Sequence, residues 1–154
     1  MRGNRQDLRM QRRVIDTLYI DAMVLADEAR SYFDEGGRAD REALDPIARV
    51  AFSCESLKVT TRLMHVIAWL LTQRAVEAGE MLPHDALDPS RRLGTAPATD
   101  PAALEHMPES ARSLIAASVE LHGRVARLDE SRAGDGLALE SPVRSLHQRL
   151  AMAF

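Results

Sequence analysis

Between Asp45 and Gly79 the chain carries apolar residues on two nearly opposite sides of one predicted helix, and no other segment restricts the fold as strongly. Ile47, Val50, Cys54, Leu57, Thr61, Met64, Ala68, Leu71 and Ala75 recur at alternating steps of three and four, the spacing of a stripe along a helix. Phe52, Val59, Leu63, Val66 and Leu70 draw a second stripe on nearly the opposite side. Such a helix has to be covered twice, by two neighbours in its own chain or by one neighbour and a second subunit. Each large side chain left in water forfeits about 1.5–3 kcal/mol, which a marginally stable domain cannot repeat along a whole stripe. Asp45-Pro46 suits the start of this helix, Asp capping the free amides and Pro taking the first helical position. Gly79 is its stop, so the rod is expected to be roughly 50 Å long.

The flanking sequence supplies covers for it. Leu8, Ile15, Leu18, Ala22, Leu25, Ala29 and Tyr32 predict a first helix from about Asp7 to Asp34, ended by Gly36-Gly37, two residues free to take positive φ. A third helix begins at Asp100-Pro101 or near Pro108 and runs to about Ser131, with Leu104, Met107, Ala111, Leu114, Ser118, Leu121, Val125 and Leu128 on one face. Pro83, Pro89 and Pro97 make Glu80 to Asp100 a long loop with one short helical turn. Arg132 to Ser141, with Gly134 and Gly136, reads as a linker, and Pro142 to Phe154 as a short amphipathic helix. Aromatics are only 4% of the 154 residues while Ala, Leu, Arg and Glu abound, so composition also favours helix over strand. The expected fold is all-α: an antiparallel three-helix bundle over residues 1–131 with a long central helix, dimeric, followed by a flexible tail over 132–154.

A net charge of −3 provides no global field for nucleic acid or an anionic membrane. Cys54 is the single cysteine and lies on an apolar stripe, so it is expected to be a buried structural thiol in a reducing compartment. The basic start, MRGNRQDLRMQRR, lacks the apolar run of a signal peptide, and no stretch approaches the ~20 apolar residues of a membrane span. The expected location is the cytoplasm.

The sequence offers no foothold for catalysis. The five histidines are scattered, the His106 to Glu109 pair is interrupted by Pro108, and no phosphate loop, nucleophile elbow or zinc-protease motif occurs. Neither a metal nor a cofactor is expected. One strip stands out instead: Lys58, Arg62, His65 and Trp69, at steps of four, three and four, lie between the two apolar stripes. Trp and Arg dominate binding hot spots, so the strip is a candidate partner-binding surface, against the alternative that Trp69 packs under the following loop. Phe52, Val59, Leu63, Val66 and Leu70 are the candidate dimer or helix-packing face. Val143, Leu146, Leu150 and Phe154 are candidates for docking the tail on a partner.

The central run AFSCESLKVTTRLMHVIAWLLTQRAVEAGEM, Ala51 to Met81, resembles the signature of the RcdA family, bacterial regulators of CtrA degradation. SYFDEGGRADREAL is similar to that family's first inter-helix region, and SLIAASVELHGRVARLD, Ser113 to Asp129, to its third helix. The resemblance spans roughly Ser31 to Asp129. It implies a dimeric three-helix bundle serving as a non-enzymatic adaptor for the ClpXP protease, delivering cell-cycle regulatory proteins. The implied partners are the ClpX unfoldase with its priming adaptor, cargo proteins, a cyclic-di-GMP-responsive adaptor and a second copy of the chain, with a cell pole as a place of concentration. The alternative reading is a helical DNA-binding or nucleoid-associated regulator, which rests on Arg2, Arg5, Arg9, Arg12 and Arg13 at the start.

Overall fold

The computed structural model describes the backbone of residues 2–153 and the side chains of residues 3–136 and 149–153. Six α-helices follow one another: α1 (Arg2–Ser31), α2 (Arg38–Glu42), α3 (Pro46–Glu77), α4 (Pro83–Ala86), α5 (Pro101–Leu104) and α6 (Glu109–Ala153). No strand occurs among the described residues.

The ends of α3 form by the expected chemistry. The Asp45 carboxylate accepts from the Ala48 amide at 2.8 Å and Pro46 opens the first turn. Beyond the last turn Gly79 takes φ +76°, the left-handed value that lets the chain leave the helix axis. Asp100 caps α5 in the same way, through the Ala102 amide.

The end of α1 departs from expectation. Tyr32–Gly36 widen into a π-helical turn, and neither Gly36 nor Gly37 has positive φ. Gly37 is needed for proximity instead: its amide donates to the Tyr32 carbonyl at 2.6 Å, and a Cβ there would sit 2.8 Å from that oxygen.

Three long helices share one core. Ile15, Leu18 and Ala22 of α1, Val59, Leu63, Val66 and Leu70 of α3, and Ile115, Leu121 and Val125 of α6 are buried together. A satellite of Phe52, Met107 and Ala111 closes the end near Tyr32 and Phe33. Phe33 meets both Tyr32 and Phe52 edge to face, at 5.1 and 5.3 Å between ring centres.

Helix direction corrects the antiparallel expectation. α1 runs against α3, with Arg74 paired to Asp16 and stacked 4.4 Å above the Tyr19 ring. α6 runs with α3: Arg62 reaches Ser118, Trp69 reaches Asp129 and Gln73 meets Arg132, the numbers rising together. Two parallel helices need a connection that returns the full length of the pair. Residues 78–108 do this, with Leu87 packed close to Gly136 and Lys58 bonded to the Ala98 carbonyl. The long proline-rich loop is therefore a crossover lying along α3 and α6, not a cap over one end.

α6 also corrects the expected linker and separate tail helix. It continues as helix through Arg132–Ser141 to Ala153. Gly136 sits inside it where a Cβ would come within 2.6 Å of Leu87 Cδ1, so this glycine makes room for the crossover.

Adjacent residues on α3 have opposite fates, which gives a direct check of the packing. Leu70→Ala, in the core, is expected to cost about 2–5 kcal/mol in urea unfolding, and Leu71→Ala, half-exposed, under about 1 kcal/mol. A second check uses Tyr32, whose hydroxyl donates to Asp40 at 2.8 Å. Burial, then the Asp40 bond and charge, raise its pKa, so the fold holds a proton that the unfolded chain releases above about pH 10. Stability should be constant with respect to this group below that pH and fall above it, and Tyr32→Phe should flatten the fall in a pH series of melting temperatures.

Candidate partner-binding surfaces

The strip Lys58, Arg62, His65 and Trp69 is brought together as the spacing requires, but the chain covers it. Arg62 and Trp69 are 3% and 2% exposed, because the crossover lies on them. Their polar atoms are spent internally. Arg62 donates to Ser118 Oγ at 3.2 Å, to the Pro97 carbonyl at 3.0 Å and to Thr99 Oγ1. Thr99 in turn donates to buried Glu55 at 2.7 Å, and Lys58 donates to Glu55 at 3.0 Å and to the Ala98 carbonyl at 3.1 Å. Burial lowers the Arg62 pKa below its ordinary value, with Glu55 pulling the other way.

Further along, Trp69 Nε1 donates to Asp129 Oδ1 at 2.9 Å, and Arg92 of the crossover donates to the same oxygen at 2.8 Å. Arg132 stands 5.7 Å from the Trp69 ring centre and donates to Gln73. His65 lies under Gly94, where a Cβ would come 2.7 Å from its Nδ1. The expected open strip is thus a row of side chains clamping residues 92–99 in reverse order. Glu55, Gln73, Ser118 and Asp129 complete this network; of these the spacing marks only Ser118, although Glu55, Arg62 and Trp69 repeat at steps of seven along one side of α3.

The two apolar stripes of α3 divide. Phe52, Val59, Leu63, Val66 and Leu70 are buried, as a helix-packing face requires. The other stripe is open: Ile47 is 84% exposed, Leu57 67% and Met64 64%, with Val50, Cys54 and Leu71 also exposed. Cys54 is therefore not a buried thiol, because neither α1 nor α6 covers its stripe. Beside it, a largely apolar groove of about 410 Å³ runs between α1 and α3, with Ala29, Phe33, Leu57 and Met64 among its walls. Of the tail candidates, Leu150 is exposed; the side chains of Val143 and Leu146, and Phe154 altogether, lie outside the described residues.

A larger cavity of about 910 Å³ opens between residues 79–92 and Ala133 and Gly136 of α6. Its acid Asp88 is held below the usual carboxylate range by bonds from the Ser90 hydroxyl and amide, so it is committed to capping a turn as an anion. Among the described residues no three His, Cys, Asp or Glu side chains gather in a group able to hold a metal ion, and no helix is long and apolar enough to cross a membrane.

Residues 6–154 match the family described as Protein of unknown function (DUF1465). No curated protein matches the sequence. Among solved structures, the chain is similar to RcdA from Caulobacter crescentus CB15, with 33% identity over 77% of this chain and 89% of that one and a TM-score of 0.64.

The clamp predicts unequal costs along the strip. Arg62→Met strands buried partners and is expected to lower stability by about 3–5 kcal/mol, whereas Lys58→Met, at a partly exposed pair, should cost about 1 kcal/mol or less. Urea titration of both variants measures the difference.

Proposed function

Because this chain belongs to the RcdA family, we propose that it is a non-enzymatic adaptor that helps deliver cell-cycle regulatory proteins to the ClpXP protease. In this reading α1, α3 and α6 form a three-helix bundle, and two copies pair as a homodimer in the cytoplasm. The partners are the ClpX unfoldase with its priming adaptor, cargo proteins, and a cyclic-di-GMP-responsive adaptor.

One observation carries the reading: a whole stripe of α3, from Ile47 to Leu71, is apolar and uncovered in the single chain. Exposed apolar surface of this extent marks a protein interface, and a stripe along a helix fits a second helix of the same kind. The charged clamp beside it is engaged within the chain, which leaves the stripe as the part of α3 free for a partner.

Two measurements test it. Sedimentation should give twice the chain mass for the unmodified protein, and Leu57→Glu with Met64→Glu should return it to the mass of one chain with its helix content intact. Capture on immobilised ClpX charged with its priming adaptor should retain the protein. Failure of capture removes the adaptor role, and an unchanged mass in the double variant removes the stripe as the pairing face. The DNA-binding alternative has the exposed Arg5, Arg9 and Arg13 on its side; retention on DNA that falls steeply with salt would favour it.

A further inference from the structure

Residues 93–99 hold their place in an unusual manner. None of them makes a backbone-to-backbone hydrogen bond. The segment is held by side chains of the two helices beneath it, through three of its carbonyls and through the Thr99 hydroxyl, which accepts from Arg62 and donates to Glu55. His122 Nε2–H donates to the Gly94 carbonyl at 3.0 Å, Arg62 to Pro97 and Lys58 to Ala98. A carbonyl only accepts, so all three contacts read main chain rather than side-chain identity.

Selectivity comes from two further points. Leu93 packs against the main core, and Gly94 lies where any side chain would strike the His65 ring. The fit is also incomplete, since His65 Nδ1 is buried under the segment with no hydrogen-bond partner. Thr95, Pro97 and Ala98 face solvent. An anchor residue, a glycine constraint and donors aimed at three carbonyls along the segment are what a groove needs to bind an extended peptide.

We propose that the groove between α3 and α6 is a binding site for an extended, uncharged peptide segment of a partner protein, and that residues 93–99 occupy it as a resident stand-in. The partner segment carries a large aliphatic residue at the place of Leu93 followed by glycine. It enters when the stand-in lifts, so its apparent affinity is the intrinsic affinity scaled by the fraction of chains with the groove open. This goes beyond the adaptor reading and uses neither the unfoldase nor the open stripe of α3.

The probe is a fluorescent, end-blocked peptide with the sequence of residues 93–99, LGTAPAT, followed by anisotropy on the full chain. Gly94→Val should drive the resident segment off His65 while leaving the donors in place, and it should bind the peptide at least tenfold more tightly than the unmodified protein. The unmodified protein should still bind saturably, the ratio of the two affinities measuring how far the groove is closed. Adding Lys58→Met and His122→Phe to Gly94→Val should weaken binding at least tenfold. Equal affinity of the unmodified and Gly94→Val proteins overturns the proposal, as does the absence of saturable binding to the unmodified protein at millimolar peptide. If circular dichroism shows Gly94→Val unfolded, a chain with residues 93–99 replaced by a Gly/Ser run of equal length takes its place. Unfolding of that chain too overturns the proposal, because the segment is then part of the core rather than a seated ligand.

Discussion

The buried guanidinium of Arg62 is the interaction on which the rest of this structure depends. It stands where α3, α6 and the returning crossover meet, and it gives a hydrogen bond to each: Ser118 on α6, and the Pro97 carbonyl and Thr99 hydroxyl on the crossover. A cation this deep is tolerable only with an anion near and its donors satisfied, and Glu55, two turns back on α3, supplies the charge. Arginine suits the position better than lysine because its fork reaches two elements at once from a rigid plane. Without it the crossover would lose its central fastening, and the parallel arrangement of α3 and α6 would lose the strap that makes it possible.

That arrangement determines what each side of α3 is available for. One apolar side is consumed by α1 and α6, the polar strip by the crossover, and the remaining apolar side by nothing in the chain. The central helix is hence covered by two very different means, interdigitated aliphatics on one side and a hydrogen-bonded clamp on another, with a groove left at the margin between α1 and α3. The proposed adaptor role draws on the uncovered remainder, whereas the proposed peptide site draws on the clamp.

Much of this was legible in the residues. Asp45-Pro46 and Gly79 bracket α3 as capping chemistry demands, and the seven-residue spacing of Ala111, Ser118 and Val125 identifies the inward face of α6. Helix direction was not legible, because periodicity specifies a face and says nothing about which way the partner runs. The long connection held the clue: a crossover rich in proline and about as long as the helices it joins is what two parallel helices need. Spacing places Lys58, Arg62, His65 and Trp69 on one strip but leaves open whether it binds a partner or packs under the following loop, since Trp and Arg serve equally well in a binding hot spot and in a buried clamp; the loop covers Trp69. Cys54 was misassigned with its stripe, for two stripes of similar hydropathy carry no mark of which one meets the core. Gly134 and Gly136 pointed to a linker on propensity alone, and the close approach of Leu87 to Gly136 shows why a glycine can belong inside a helix.

The parallel pairing also orders events in time as the chain is made. α1 and α3 are neighbours in sequence and can close on each other as a hairpin as soon as both have emerged, with little loop entropy to overcome. α6 has no place to dock until residues 78–108 have doubled back over the hairpin, so its arrival completes assembly rather than starting it. During synthesis the hairpin therefore spends an interval with the face of α3 that carries Arg62 and Trp69 in water. Apolar surface open for that interval is what chaperones and proteases recognise in any nascent chain, so the slow step of this fold is also its exposed one.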